Sequence, residues 1–141
     1  MVSCSRIQHG RKYSHKCANY LCSDVTNEPA LRAAHQKICE TLPPIIGVLN
    51  GAMVLRDISI QNMSFEHMSD VFRPKVYGSI HLDRIFQNEK LDFFILFSSI
   101  NCVIGNLGQA NYAAANTFMC SRKYISELHL AFPFLPARKA C

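Results

Sequence analysis

Several features that would settle the class of this chain are lacking. No apolar run approaches the roughly 20 residues of a membrane-spanning helix, so no membrane partner is expected. The seven cysteines (Cys4, Cys17, Cys22, Cys39, Cys102, Cys120, Cys141) are odd in number, contain no CxxC pair and follow no apolar signal core. Buried, reduced thiols in a cytoplasmic protein are therefore expected, rather than a disulfide framework or a zinc ribbon. The six histidines are scattered without ligand spacing, so no metal site is expected. Acids are absent before Asp24, where Arg6, Arg11, Lys12 and Lys16 stand, and Arg138 and Lys139 lie in the tail. The net charge of +5 thus gathers at the ends. No basic face interleaved with aromatics exists, which argues against nucleic acid. No internal repeat or low-complexity tract is present.

Charged residues make up only 18% of the chain, against 49% hydrophobic, so a packed core is expected and long disorder is not. At 141 residues the chain forms one domain at most, near the lower end for an α/β sheet enzyme. Residues 1–17 carry no periodicity and read as a basic leader. Residues 19–25 (NYLCSDV) suggest a short strand ending at Asp24. Thr26 is then the expected N-cap of a helix with Pro29 in its first turn, running to about Glu40 on Leu31, Ala34, His35 and Ile38. Pro43 and Pro44 close it. Residues 45–49 (IIGVL) suit a strand buried on both faces, followed by Asn50, Gly51 and Ala52.

A second helix is expected from Ser64 as N-cap, with His67 three residues on. Pro74 should end it, kink it or start a new helix, and an apolar side continues to Phe86. Residues 93–97 form the next strand and residues 109–126 an alanine-rich helix. Alternating strands and helices imply parallel pairing with helices on the sheet faces. The last fifteen residues, 127–141, do not continue the pattern.

The most informative stretch is residues 91–116, LDFFILFSSINCVIGNLGQANYAAAN. An apolar strand delivers Ser98 and Ser99, a turn-rich patch follows, and a helix then carries Tyr112 and Asn116. In an open parallel sheet, ligands lie beyond the carboxyl ends of the strands. Asp24, Asn50 with Gly51, and Ser98 with Ser99 would line that rim. Tyr112 and Asn116 are four apart and share a helix face. A tyrosine hydroxyl titrates near about 10, so proton transfer near neutrality needs a cation that favours the phenolate. Lys75, directly after Pro74, is the candidate. Ser99 would hydrogen-bond a substrate carbonyl, Tyr112 would protonate its oxygen, and Asn116 would hold a water or orient Lys75.

Four segments carry a resemblance: PPIIGVLNGAMVLRD (43–57), FRPKVYGSIHLD (72–83), LDFFILFSSI (91–100) and GNLGQANYAAAN (105–116). They resemble the ketoreductase domain of polyketide synthases, particularly the fungal highly reducing and hybrid peptide-synthetase types. Those domains are short-chain dehydrogenase/reductases whose lysine lies upstream of the serine, with asparagine four after the tyrosine. Tyr112 follows Ser99 by 13 residues and Lys75 by 37, as in that family. The resemblance implies a catalytic set of Lys75, Ser99, Tyr112 and Asn116. It further implies cofactor contacts at Asp24 and Val25 on the adenine side, and at Asn50, Gly51, Ala52 and Lys75 toward ribose and nicotinamide. The implied reaction is NADPH-dependent reduction of a β-ketoacyl group tethered to an acyl carrier protein.

The six glycines (10, 47, 51, 78, 105, 108) do not form a GxGxxG-like loop. In the family such a loop cradles the cofactor pyrophosphate at a helix N-terminus. The expected fold is therefore α/β, an incomplete Rossmann-like parallel sheet with flanking helices. It would lack the glycine-loop strands upstream and a further strand downstream. The expected organisation is an unmatched leader at 1–18, a partial ketoreductase at 19–126 and an unmatched tail at 127–141. Three readings follow: a reductase fragment with impaired cofactor binding, a non-catalytic remnant that associates through an open sheet edge, and a protein completed by another polypeptide. An open apolar edge is a pairing liability. An oligomer, association with other synthase domains or poor solubility is accordingly expected.

Overall fold

The computed structural model describes residues 2–3 and 20–121, with side chains from Leu21 to Ser121. Two-residue strands β1 (Val2–Ser3) and β2 (Tyr20–Leu21) pair antiparallel, Val2 opposite Leu21. Strand β3 (Gly47–Asn50) pairs parallel with β4 (Phe93–Leu96), Gly47 opposite Phe93 and Asn50 opposite Leu96. Backbone bonds from Asp92 to Ile46 (2.7 Å) and from Phe97 to Asn50 (3.0 Å) extend this pair at both ends. The fold is thus α/β, with a two-strand parallel sheet and helices. The expected strand at 19–25 contracts to Tyr20–Leu21 and joins no parallel ladder. Its continuation turns away because Asp24 Oδ1 takes the Thr26 N–H at 2.9 Å.

That turn also moves the helix cap. Helix α1 (Glu28–Thr41) is capped by Asn27, whose Oδ1 accepts the Ala30 N–H at 3.1 Å, and not by Thr26. Leu31 and Ile38 face inward from α1. Helix α2 (Phe65–Phe72) starts as expected: Ser64 Oγ accepts from the His67 N–H at 3.3 Å, and His67 Nδ1 accepts the Ser64 N–H at 3.1 Å. At Pro74 the rod neither stops nor restarts. It widens into a π-helical turn, Arg73–Tyr77, and continues as α3 (Gly78–Phe86). Proline has no N–H to offer the carbonyl four residues back, and a wider turn re-pairs the groups beyond it. Helix α4 (Asn101–Ile104), unforeseen within the turn-rich patch, ends at Gly105, whose φ of 68° favours glycine. Helix α5 (Ala110–Ser121) fills the expected alanine-rich segment; its expected extension to 126 lies outside the described residues.

One face of the sheet carries the packing. Val48 joins Leu31 of α1 and Leu82 of α3, with Val25 and Phe94 against them, while Leu96 meets Met119 of α5. A further cluster, Val71, Val76 and Ala115, locks the π turn onto α5. Residues 45–49 are therefore not buried on both faces, since Leu49 is 48% exposed. Among the described residues the helices cover the side that Val48 and Leu96 share. The cysteine expectation also needs correction. Cys22, Cys39, Cys102 and Cys120 are free, but Cys22 and Cys39 are exposed and the other two only half-buried. Among the described residues no helix is long and apolar enough to cross a membrane, and no cluster of metal ligands forms.

Candidate active site

The π turn carries Lys75 inward, where it is only 2% exposed. Its Nζ donates to the Phe97 carbonyl at 2.9 Å and lies 5.3 Å from the centre of the Tyr112 ring. Burial makes the ammonium harder to keep charged and pushes its pKa down to about 8. Near neutrality the group still carries its proton but gives it up more readily than a surface lysine. Its backbone is fixed from β3: Asn50 Nδ2 donates to Ser79 Oγ at 2.9 Å, and that hydroxyl donates to the Lys75 carbonyl. Asn50 Oδ1 accepts the Ala52 N–H at 3.1 Å. The Asn50 carboxamide therefore fastens the strand end to the lysine turn, while the adjoining Gly51 stands exposed.

Tyr112 sits half-buried in the first turns of α5, with its hydroxyl donating to Met53 Sδ at 3.2 Å. The loop carrying Met53 is held by residues flanking the tyrosine. Asn111, fully buried, donates to the Arg56 carbonyl at 3.0 Å and the His67 carbonyl at 3.1 Å, and accepts the Tyr112 N–H at 2.8 Å. Gln109 reaches both Asp57 oxygens, at 3.0 and 2.9 Å, and Ile58 donates to the Gly108 carbonyl at 2.8 Å.

Asn116 is fully buried one turn further on. Its Nδ2 donates to the Tyr112 carbonyl at 2.7 Å, while its Oδ1 is buried with no protein partner. A buried acceptor left unpaired costs free energy until a donor reaches it. Ser99 Oγ accepts the Asn101 N–H at 3.3 Å, which leaves its own proton to donate. Ser98 Oγ donates to the Asn116 carbonyl at 3.2 Å, tying the strand end to α5.

Lys75, Tyr112 and Asn116 are thus brought together, with the β4 end that carries Ser98 and Ser99 bonded to both Lys75 and Asn116. Asp24 lies apart. It is exposed in a cleft of about 580 Å³ that Arg73, Tyr77 and His81 also line. The Thr26 N–H, and to a smaller extent the Arg73 charge, hold its carboxyl below the usual carboxylate range. Val25 turns inward instead. It packs so closely on α3 that a Cβ at Gly78 would meet its Cγ2 at 2.9 Å. Sequence reasoning missed Met53, Ser79 and Asn111 as neighbours of the site. Only Asn111, directly before Tyr112, carried a signal in its position.

With this geometry in place, comparison with known proteins shows the family. The model of the KR domain family matches residues 8–123. The chain belongs to that family, the ketoreductase domains of polyketide synthases. It is 89% identical over 98 residues to the highly reducing polyketide synthase calA of Penicillium decumbens, covering 70% of this chain and 3% of that protein. The highly reducing polyketide synthase sthA of Phaeosphaeria nodorum is 61% identical over 113 residues, 80% of this chain and 4% of that one. The KR-family chain therefore spans a few per cent of the curated relatives it matches. Among solved structures, an N-terminal ketoreductase from the macrolactin assembly line aligns with TM-score 0.74 and 34% identity over 77% of this chain and 22% of that one. A ketoreductase domain from the bacillaene assembly line aligns at 0.65 and 41% identity, over 68% and 23% respectively.

Proposed function

We propose that this KR-family chain carries the proton-handling part of an NADPH-dependent ketoreductase acting on a β-ketoacyl thioester of an acyl carrier protein. The observation that carries the reading is Lys75, almost wholly removed from water, 5.3 Å from the Tyr112 ring. Tyr112 gives its hydroxyl proton to the substrate oxygen as the carbonyl becomes an alcohol, and the Lys75 ammonium stabilises the negative charge left on the tyrosine. Ser99 holds the same oxygen through its hydroxyl proton. Asn116 Oδ1, buried and unpaired, takes a water through which Tyr112 and Lys75 are reprotonated.

NADPH, when bound, supplies the hydride equivalent. Asp24 would hold its adenine end, with Val25 seating the adjoining backbone on α3, and Gly51, Ala52 and Lys75 its nicotinamide side, with Asn50 setting the strand end between them. These residues fit such a group: an exposed carboxylate in a cleft, able to accept from a purine amino group, and an open glycine for close approach. A phosphate-cradling glycine loop is not among the described residues. Association with other synthase domains follows from this reading.

The test is a fluorescence titration of NADPH into the purified chain, followed by NADPH consumption with a β-ketoacyl thioester. Saturable binding and consumption that Tyr112→Phe removes are expected. Consumption unchanged in Tyr112→Phe would overturn the assignment of the tyrosine. Absence of binding would favour a non-catalytic role in association. That second reading is supported by the outer edges of β3 and β4, unpaired among the described residues, beside half-exposed Leu49 and Phe97.

A further inference from the structure

Two thiols meet outside the hydrogen bonds that fix Lys75 and Tyr112. Cys102 of α4 and Cys120 of α5 are half-buried, and their sulfurs stand 3.4 Å apart. Ser98 Oγ touches the pair, 3.2 Å from the Cys120 sulfur and 3.9 Å from the Cys102 sulfur. No third cysteine, histidine or carboxylate completes a metal-binding group among the described residues. Residues 18 apart in sequence are brought together here by the packing of α4 on α5.

We propose that Cys102 and Cys120 form a reversible oxidation site, closing to an intramolecular disulfide between α4 and α5 on exposure to a hydroperoxide. A disulfide bond is about 2.05 Å long, so the sulfurs must approach by roughly 1.4 Å. Side-chain rotation and a small shift of α4 can supply that movement. Helix α4 is only four residues long, with Val103 and Ile104 exposed on it.

The order of events follows from the surroundings of each thiol. Burial pushes the Cys120 thiol up, leaving Cys102 to meet the oxidant first. The Cys102 sulfur attacks one peroxide oxygen and breaks the O–O bond, giving a sulfenic acid and releasing an alcohol, or water from hydrogen peroxide. The Cys120 sulfur then displaces the sulfenic hydroxyl, which leaves as water with the Cys120 proton. Two thiols and one hydroperoxide thus give one disulfide, one alcohol and one water. The two electrons lost by the sulfurs reduce the peroxide, and a small dithiol returns them. The site rests on the sulfur geometry and is independent of what the chain catalyses.

The experiment uses the full reduced chain. It is treated with hydrogen peroxide in buffer and, in parallel, in urea; residual thiols are alkylated and the non-reduced digest is mapped by mass spectrometry. In buffer the expected product is a peptide pair joined through Cys102 and Cys120, two hydrogens lighter than its reduced parts. It should form ahead of any pair involving the other five cysteines, and dithiothreitol should reverse it. In urea that preference should be lost. Cys102→Ser should leave Cys120 open to alkylation, and Cys39→Ser should change nothing. Both thiols remaining alkylatable after the other cysteines have reacted would overturn the proposal. So would separate conversion to sulfinic acids, or pairing no more selective in buffer than in urea.

Discussion

Lys75 and Asp24 are both charged side chains beside the Arg73–Tyr77 turn, yet they occupy opposite media. Lys75 is 2% exposed, and its pKa is moved by loss of water. Asp24 is exposed, and its pKa is moved by a partner, the Thr26 N–H. Around Lys75 the bonds run in series, from Asn50 through Ser79 to the lysine carbonyl, so one substitution propagates. Around Asp24 one local turn does the holding and water screens the rest. A buried charge is therefore a commitment of the whole fold, and an exposed one is a local arrangement. Substitutions in the two regions should separate accordingly.

The largest expected effect is on turnover. On the proposed function, Tyr112→Phe removes the proton donor and should lower ketoreduction by about 10²–10⁴-fold. The thermal midpoint should move little, because among the described residues the hydroxyl bonds only the Met53 sulfur. A comparable loss of stability would mean that the tyrosine is structural.

Next in size is a pH effect. A lysine whose folded pKa lies below its unfolded value binds fewer protons when folded, so stability rises with pH between about 8 and 10.5. The gain should reach about 3 kcal/mol. It should be absent from Lys75→Met, measured by urea unfolding at a series of pH values. Parallel curves for the two proteins would show that Lys75 is not desolvated in solution.

How much of this was legible beforehand depended on range. The Ser64–His67 capping box and the strands at Gly47–Asn50 and Phe93–Leu96 are local or periodic, and each could be read directly. Thr26 and Asn27 are both good caps, and the choice went to Asn27 because Asp24 had taken the Thr26 N–H. The fate of Pro74 depended on what α5 presses against the turn, which no local pattern records. Exposure of Leu49 likewise depends on which helices reach the sheet. The resemblance singled out Lys75, Ser99, Tyr112 and Asn116 as the candidate site, and the structure brings Lys75, Tyr112 and Asn116 together. Its supporting neighbours were hidden because Met53 meets Tyr112 only through a loop held by Asn111, Gln109 and Gly108, more than 40 residues away.

Asn50→Ala sharpens the comparison from the stability side. It strips the donor from Ser79 Oγ and from the Pro74 carbonyl among buried groups, at a cost of about 1–3 kcal/mol. Denaturant midpoints should fall accordingly. A neutral outcome would mean that Ser79 and Lys75 are held by packing alone.

Asp24→Asn should give the smallest change. Asparagine keeps an oxygen that can accept the Thr26 N–H, so the turn before α1 survives, and the lost charge faces water and the exposed Arg73. Stability should stay within about 0.5 kcal/mol of the parent, as for other surface changes. If Asp24 also contacts a cofactor's adenine, NADPH affinity should fall in this variant while the thermal midpoint holds, an uncoupling not expected of the buried chain from Asn50 through Ser79 to the Lys75 carbonyl. Unfolding that tracked the loss of affinity would instead make Asp24 a structural residue, and the distinction between the two regions would fail at its exposed end.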